Sequence, residues 1–385
     1  MIQSVLLWLL LALLALHLAL ALLTRHLTRE AEAAHPPIGR FVLREDGSRI
    51  HYLESGPIEG TDATLSPTAA PLTDGARRAT AAPEAALGRT PGERWATEGS
   101  HDIPTIVLVH GASTSLLDFE TSLRPHLERT FRVVALDRPG SGWSDPLESA
   151  RGDPLAQAAD VVRVLDALGI ERAIWVGHSW GGAVVMAALL EHESRVAAGV
   201  AIAAATHPWE GALPRSIRLA AVPVVGHLLA ACWAEPIGRR VLDDALADSF
   251  RPESPPRGVV RYRESTGAML TIRPASFRST ALDLVGLSES LAALVPRYGE
   301  IRRPLLLVNG AEDPTVPPER NADRVAAVLP AAIGVRVPNA GHIVHHTHAA
   351  LVATSIADFS ERHADAGPSN RIAPPIVRRA PTEAR

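Results

Sequence analysis

The pentapeptide Gly177-His178-Ser179-Trp180-Gly181 constrains this chain more than any other stretch. It fits G-x-S-x-G, and its flanks decide what that means. Arg172-Ala173-Ile174-Trp175-Val176 before it reads as a buried strand, and Gly182 to Leu190 after it reads as a helix. A serine on a sharp strand-to-helix turn has its hydroxyl pushed out beyond the sheet, within reach of a base and a substrate. Small residues at 177 and 181 let strand and helix approach closely. The start of the helix supplies backbone N–H groups without intrahelical partners, which can stabilise an oxyanion.

The neighbouring sequence has the same rhythm. Ile103–Val109, Arg132–Leu136, Arg172–Val176 and Val196–Ala204 read as strands, with helices at 116–128, 154–168 and 181–192 between them. Short apolar strands alternating with helices predict a parallel sheet covered on both faces. The alternation breaks at about 206, and 206–299 carries helix-like apolar stretches without a strand signal. It resumes with a strand at Pro304–Asn309, a helix near 318–328, a strand at Gly334–Val337 and a last helix near 343–362. Before the first of these strands, Phe41–Leu43 and Arg49–Leu53 flank Asp46-Gly47-Ser48, a hairpin signal. Residues 57–101 and 363–385 are poor in large apolar groups and are expected to be a disordered insertion and a disordered tail. The remaining 270 to 290 residues, about enough for one large α/β domain, span 40–362.

The N-terminus carries the second strong signal. From Val5 to Leu23 only His17 interrupts an apolar run. Nineteen helical residues would span ~29 Å, close to the hydrocarbon thickness of a bilayer. A signal peptide is the competing reading, which would leave a secreted or periplasmic protein. The run is longer than a signal core, however, and nothing basic precedes it but the amino terminus. Residues 1–24 are therefore expected to be an uncleaved membrane anchor and 25–39 a polar linker. Arg25, Arg29, Arg40 and Arg44 all follow the span, which places the bulk of the chain on the cytoplasmic side. The net charge of -4, with no long basic patch, argues against a nucleic-acid partner. Cys232, the single cysteine, can form no internal disulfide and reads as a small buried apolar residue.

A serine hydroxyl needs a base, and the base needs an orienting group. Asp313 follows the strand ending at Asn309 and is the candidate carboxylate; Glu312 competes and is expected to face solvent. His342 follows the next strand and is the candidate base. Residues at the C-terminal ends of parallel strands gather at one edge of the sheet, so Ser179, Asp313 and His342 can converge. The N–H groups of Trp180 and Ala112 are the candidate oxyanion donors. His110 is expected to anchor its loop and His178 to pack locally. His345, His346 and His348 read as packed or solvated helix residues rather than a metal cluster. This chemistry needs no metal and no organic cofactor.

Together these elements resemble the α/β-hydrolase superfamily, in its large group with a helical cap. The resemblance rests on His110-Gly111-Ala112, Asp137 to Asp145, Gly177 to Gly182, Gly310 to Asp313 and Gly341-His342. It implies an α/β-hydrolase fold, a mostly parallel twisted sheet with helices on both faces and a cap inserted at 206–299. It also implies a structural role for 137–145, with Gly140 and Gly142 in tight turns. Dehalogenases and epoxide hydrolases of the superfamily use an aspartate nucleophile, and serine at 179 argues against both. The expected activity is hydrolysis of an ester-like, lipophilic small molecule through an acyl-enzyme. Other uses of the same triad stay open: C–C hydrolysis, perhydrolysis or lyase chemistry. So do a non-catalytic ligand-binding role and a membrane-tethered scaffold.

Overall fold

The computed structural model describes residues 2–56, 104–147, 151–363 and 378–379. The expected insertion at 57–101 and tail beyond 363 lie outside these residues, apart from the two-residue strand noted below. The chain opens with α1 (Ile2–Ala34), followed by β1 (Arg40–Leu43) and β2 (Arg49–Ser55). Then come β3 (Thr105–Val109), α2 (Leu117–Glu120), α3 (Arg124–Leu127), β4 (Arg132–Leu136) and α4 (Pro154–Ala167). The centre is β5 (Ala173–His178), α5 (Trp180–Glu191) and β6 (Val196–Ile202). A helical excursion follows: α6 (Arg215–Ala221), α7 (Val225–Ser249), α8 (Val259–Ser265) and α9 (Pro274–Leu294). The chain returns through β7 (Leu305–Gly310), α10 (Ala322–Val328), β8 (Ile333–Val337), α11 (Val344–Thr347), α12 (Ala349–His363) and β9 (Arg378–Arg379).

The strands form one sheet in the order β1-β2-β4-β3-β5-β6-β7-β8-β9. β1 and β2 make an antiparallel hairpin with Leu43 opposite Arg49, and β2 runs antiparallel to β4. Every pairing from β4 onward is parallel. The inner strands are buried on both faces, and their side chains divide by the two-residue period of a strand. Val107, Val109 and Trp175 enter the cluster that packs on α4 and α5. Ile106, Leu108, Ile174 and Val176 enter the cluster shared with α12.

Three elements differ from the sequence reading. The polar stretch after the apolar run is not a linker as far as Ala34: α1 continues through it. Its residues are good helix formers up to Pro36-Pro37, and its polar side chains have partners on the helical excursion. The expected helix at 116–128 is two short helices. Ser122 Oγ donates to the Asp118 carbonyl at 2.7 Å, diverting a group that a continuous helix would use, and Pro125 opens α3. The last helix is broken at His348, which leaves helical geometry at φ -125° and reaches Glu253 at 2.9 Å.

Candidate active site

Ser179 sits between β5 and α5 with φ 52° and ψ -115°, a left-handed conformation that costs a non-glycine residue on the order of 1–3 kcal/mol. The turn holds because its surroundings leave no room for relaxation. A Cβ on Gly181 would stand 2.1 Å from the Val109 carbonyl oxygen, and one on Gly177 would stand 2.1 Å from the carbonyl oxygen of Gly181. These contacts draw α5 down onto β3 and β5 and lift the serine clear of the sheet.

The later strands deliver the partners. His342 Nε2 lies 3.0 Å from Ser179 Oγ, and His342 Nδ1 lies 2.8 Å from Asp313 Oδ2. A carboxylate can only accept, so Nδ1 carries the proton and Nε2 is left to accept from the hydroxyl. The other Asp313 oxygen accepts the N–H groups of Thr315 and Val316 at 2.8 and 2.9 Å, which fixes the carboxylate in plane. Asp313 and His342 are buried, whereas Glu312 is exposed. The three residues read from strand ends thus stand in line across 163 residues of chain.

Ala112 lines the same cavity as Ser179, Trp180 and His342. The loop that carries it runs close to the serine: a Cβ on Gly111 would lie 3.1 Å from Ser179 Cβ. Trp180 is the first residue of α5, where N–H groups have no intrahelical partner. His110 is fully buried and ties its loop to the next strand end, its Nε2 accepting the Arg138 N–H at 2.9 Å. Burial pushes the His110 ring down to about 4, so it is neutral at physiological pH. His178 is buried beside these three residues, and its Nε2 reaches the His342 carbonyl at 3.2 Å. Burial also holds its ring well below the usual histidine range.

Two arrangements escaped the sequence reading. Arg138 is buried under Trp180, its guanidinium 4.3 Å from the ring. It donates to the carbonyls of His110 and Gly111 at 3.0 and 2.9 Å and to Asp283 on α9 at 2.6 Å. It therefore turns the carbonyls of this loop away from the cavity and ties the loop to the helical excursion. The only hint in the sequence was an arginine in an otherwise tight glycine turn. Secondly, Asp118 accepts from His345, His346 and Tyr262 at 2.8, 2.8 and 3.0 Å. Burial alone would raise this carboxyl, but the two rings hold it well below the usual range. Its oxygens and the two ring nitrogens lie within 4.8 Å of one another, a set able to hold a cation. The ring nitrogens instead serve as donors to the carboxylate, and a metal would have to displace those protons.

The cavity above Ser179 measures about 930 Å³ and is walled mainly by apolar side chains of α6, α7 and α9. A second cleft of about 490 Å³ lies between α1 and the 140–146 turn and includes none of Ser179, Asp313 and His342.

A parallel sheet with a strained serine at a strand–helix turn, a histidine and a carboxylate on later strand ends, and helices roofing the site define a hydrolase-type α/β protein. Comparison with known proteins agrees. The model of the alpha/beta hydrolase fold family matches residues 104–226 and 234–349, well over half of the chain. The chain belongs to this family. Epoxide hydrolase A of Mycobacterium tuberculosis is 36% identical, over 31% of this chain and 35% of its own length. The chain thus spans about a third of that relative. The 2-hydroxy-6-oxononadienedioate/2-hydroxy-6-oxononatrienedioate hydrolase of Comamonas testosteroni is 26% identical over 66% of this chain and 86% of its own length. Among solved structures, the enol-lactonase of Burkholderia xenovorans superimposes with a TM-score of 0.57 at 19% identity, covering 84% of this chain and 100% of the other. A membrane phospholipase A gives 0.55 at 19% identity and covers 95% of this chain and 99% of the other.

Proposed function

We propose that this protein is a hydrolase, a membrane-held serine esterase acting on apolar esters. The observation that carries the reading is the line Asp313–His342–Ser179, at 2.8 and 3.0 Å, on the floor of the apolar cavity. His342 takes the Ser179 proton as the oxygen attacks the ester carbonyl, and the Trp180 and Ala112 N–H groups receive the negative charge on the carbonyl oxygen. Asp313 stabilises the imidazolium, which then protonates the leaving alcohol. Water, deprotonated by His342, releases the acid and restores the serine. A serine at 179 supports this chemistry over the aspartate-based chemistry of epoxide opening. Among the described residues that line the cavity there is no arginine, and the chain has no lysine. A dianionic substrate would find no cation there, which favours neutral, lipophilic esters.

The reading of α1 as an uncleaved anchor rests on its two halves. Val5 to Leu16 expose their apolar side chains, Trp8 by 71%. The later half is docked: Thr24 donates to the Cys232 carbonyl, Thr28 to Glu235, and Arg273 reaches Glu32 at 3.0 Å. Cleavage at the small-residue site Ala31-Glu32-Ala33 would remove a helix that the fold uses. The arginines after the span favour a cytoplasmic active site.

A fluorophosphonate probe tests the chemistry. It should label the wild-type protein and not Ser179→Ala, whose turnover should drop on the order of 10⁶-fold. Undiminished labelling of that variant would remove Ser179 from the mechanism. The anchor predicts that alkaline carbonate leaves the intact chain in the membrane pellet.

A further inference from the structure

The corner between α6 and α7 is built to be apolar and exposed. Val224 is 70% exposed and Leu228 60%, with Leu219, Val222 and Val225 also exposed around them. Single exposed apolar residues are ordinary, but a contiguous set marks a contact surface. The backbone keeps it outward. The Gly226 N–H closes on the Val222 carbonyl at 2.8 Å. A Cβ on Gly226 would meet the Ala220 oxygen at 2.0 Å, so α7 starts directly against α6. Val224 holds φ 62°, a left-handed conformation that a β-branched residue rarely adopts. Strain and exposed apolar surface at the same turn call for a covering phase.

The neighbouring helix identifies that phase. Thr24 pairs with Cys232, Thr28 with Glu235 and Leu27 with Arg239, so α1 and α7 run side by side in the same direction. His17 lies against α7 as well, its carbonyl 3.6 Å from Cys232 Sγ. Leu228 precedes Cys232 by about one helical turn and Val225 by about two. Both therefore stand level with α1 one to two turns before Thr24, within its apolar run. Whatever layer holds that run also holds the corner.

We infer that the α6–α7 corner is seated in the acyl layer of the bilayer and opens the cavity to it, so that the substrates are esters of membrane lipids drawn in sideways. The inference rests on the anchor and esterase readings above. Leu219 both lines the cavity and is 48% exposed, and Leu229 and Trp233 face the cavity from the turns of α7 that carry Leu228 outside. One helix thus separates the lipid side from the acyl site. An acyl chain entering here stays in apolar surroundings until its ester reaches Ser179. The bond changes are those of hydrolysis: the acyl C–O bond breaks, water adds, and an acid and an alcohol leave.

The full chain in phosphatidylcholine vesicles tests this, with Cys232→Ala as background. An environment-sensitive fluorophore is placed on a single new cysteine in Leu10→Cys, Leu228→Cys or Val328→Cys. Quenching by lipids spin-labelled in their acyl chains is expected at 10 and 228 and not at 328, which is exposed on α10. Leu228→Glu and Val224→Glu should lower kcat/KM on a long-chain ester held in the vesicles at least ~10-fold, and leave a water-soluble short ester within about twofold. Quenching at 10 without quenching at 228, or equal losses on both esters, overturns the inference and leaves the anchor standing. No quenching at 10 overturns the anchor reading itself. A wild-type protein inert on both esters overturns the esterase reading.

Discussion

The C-terminal edge of the sheet and the helices above it solve opposite problems. At the sheet edge each atom of the candidate site is over-determined. Asp313 accepts two backbone N–H groups as well as His342, Arg138 holds two loop carbonyls, and the Ser179 turn is closed by backbone atoms about 2 Å from any added Cβ. The α6–α8 stretch above it is held more loosely, with small buried clusters such as Leu242, Ala268 and Ile272 and with large apolar groups left on the outside. The contrast separates two duties: atoms that must be placed for chemistry, and surfaces that need only exclude water and admit a chain. Substitutions at the edge should therefore act almost in an all-or-none manner, and those in the helices by degrees.

The largest effect should come from Asp313→Asn. It keeps the shape but removes the acceptor that selects the His342 tautomer, and kcat on an activated ester should drop ~10⁴-fold with the fold intact. A drop of tenfold or less would mean that the edge is less tightly determined than the geometry implies. Next comes Gly181→Ala, whose Cβ would collide with the Val109 carbonyl, a backbone atom that cannot step aside. Thermal unfolding should show a loss of roughly 3 kcal/mol or more.

Acid should also separate the two regions. His110 titrates at about 4 in the fold, below its ordinary 6.5, because it is buried. Between those values the unfolded chain binds the proton and the folded chain does not. Stability from this group is therefore complete above pH 6.5 and falls as the pH drops toward 4, by up to about 3 kcal/mol. His178 and His345, also lowered by burial, act in the same direction. The unfolding midpoint should fall between pH 7 and pH 4.5, and a flat profile would show that these rings are not buried neutral groups. The smallest effect belongs to the helices. Trp233→Ala enlarges the cavity wall, and kcat/KM should shift about tenfold in favour of bulkier acyl chains, read from a series of p-nitrophenyl esters.

The same division explains what could be read in advance. The convergence of Ser179, Asp313 and His342 was legible because each stands within five residues of the end of a strand, and the two-residue and 3.6-residue periods mark where strands end and helices begin. The role of Asp118 was not legible. Its partners His345 and His346 lie 227 and 228 residues away, and periodicity carries no information about which distant loops meet. Arg138 was hidden for the same reason, since its carboxylate partner sits 145 residues on, in the helical excursion. The course of α1 past Arg25 was misread because polar residues there resemble a linker. Their partners, Cys232, Glu235 and Arg273, become visible only once α7 and α9 are in place.

The Arg138–Asp283 pair gives the two regions a common fastener. Exchange of the helices above the site for those of another family member is a natural way to redirect such an enzyme. Here a transplanted segment without an acid at the place of Asp283 would leave a buried guanidinium unpaired under Trp180, next to the loop that carries Ala112. The graft would then damage turnover for every substrate alike, and the defect would be mistaken for poor binding. Chimeras built on this scaffold should carry both residues across together, or replace both.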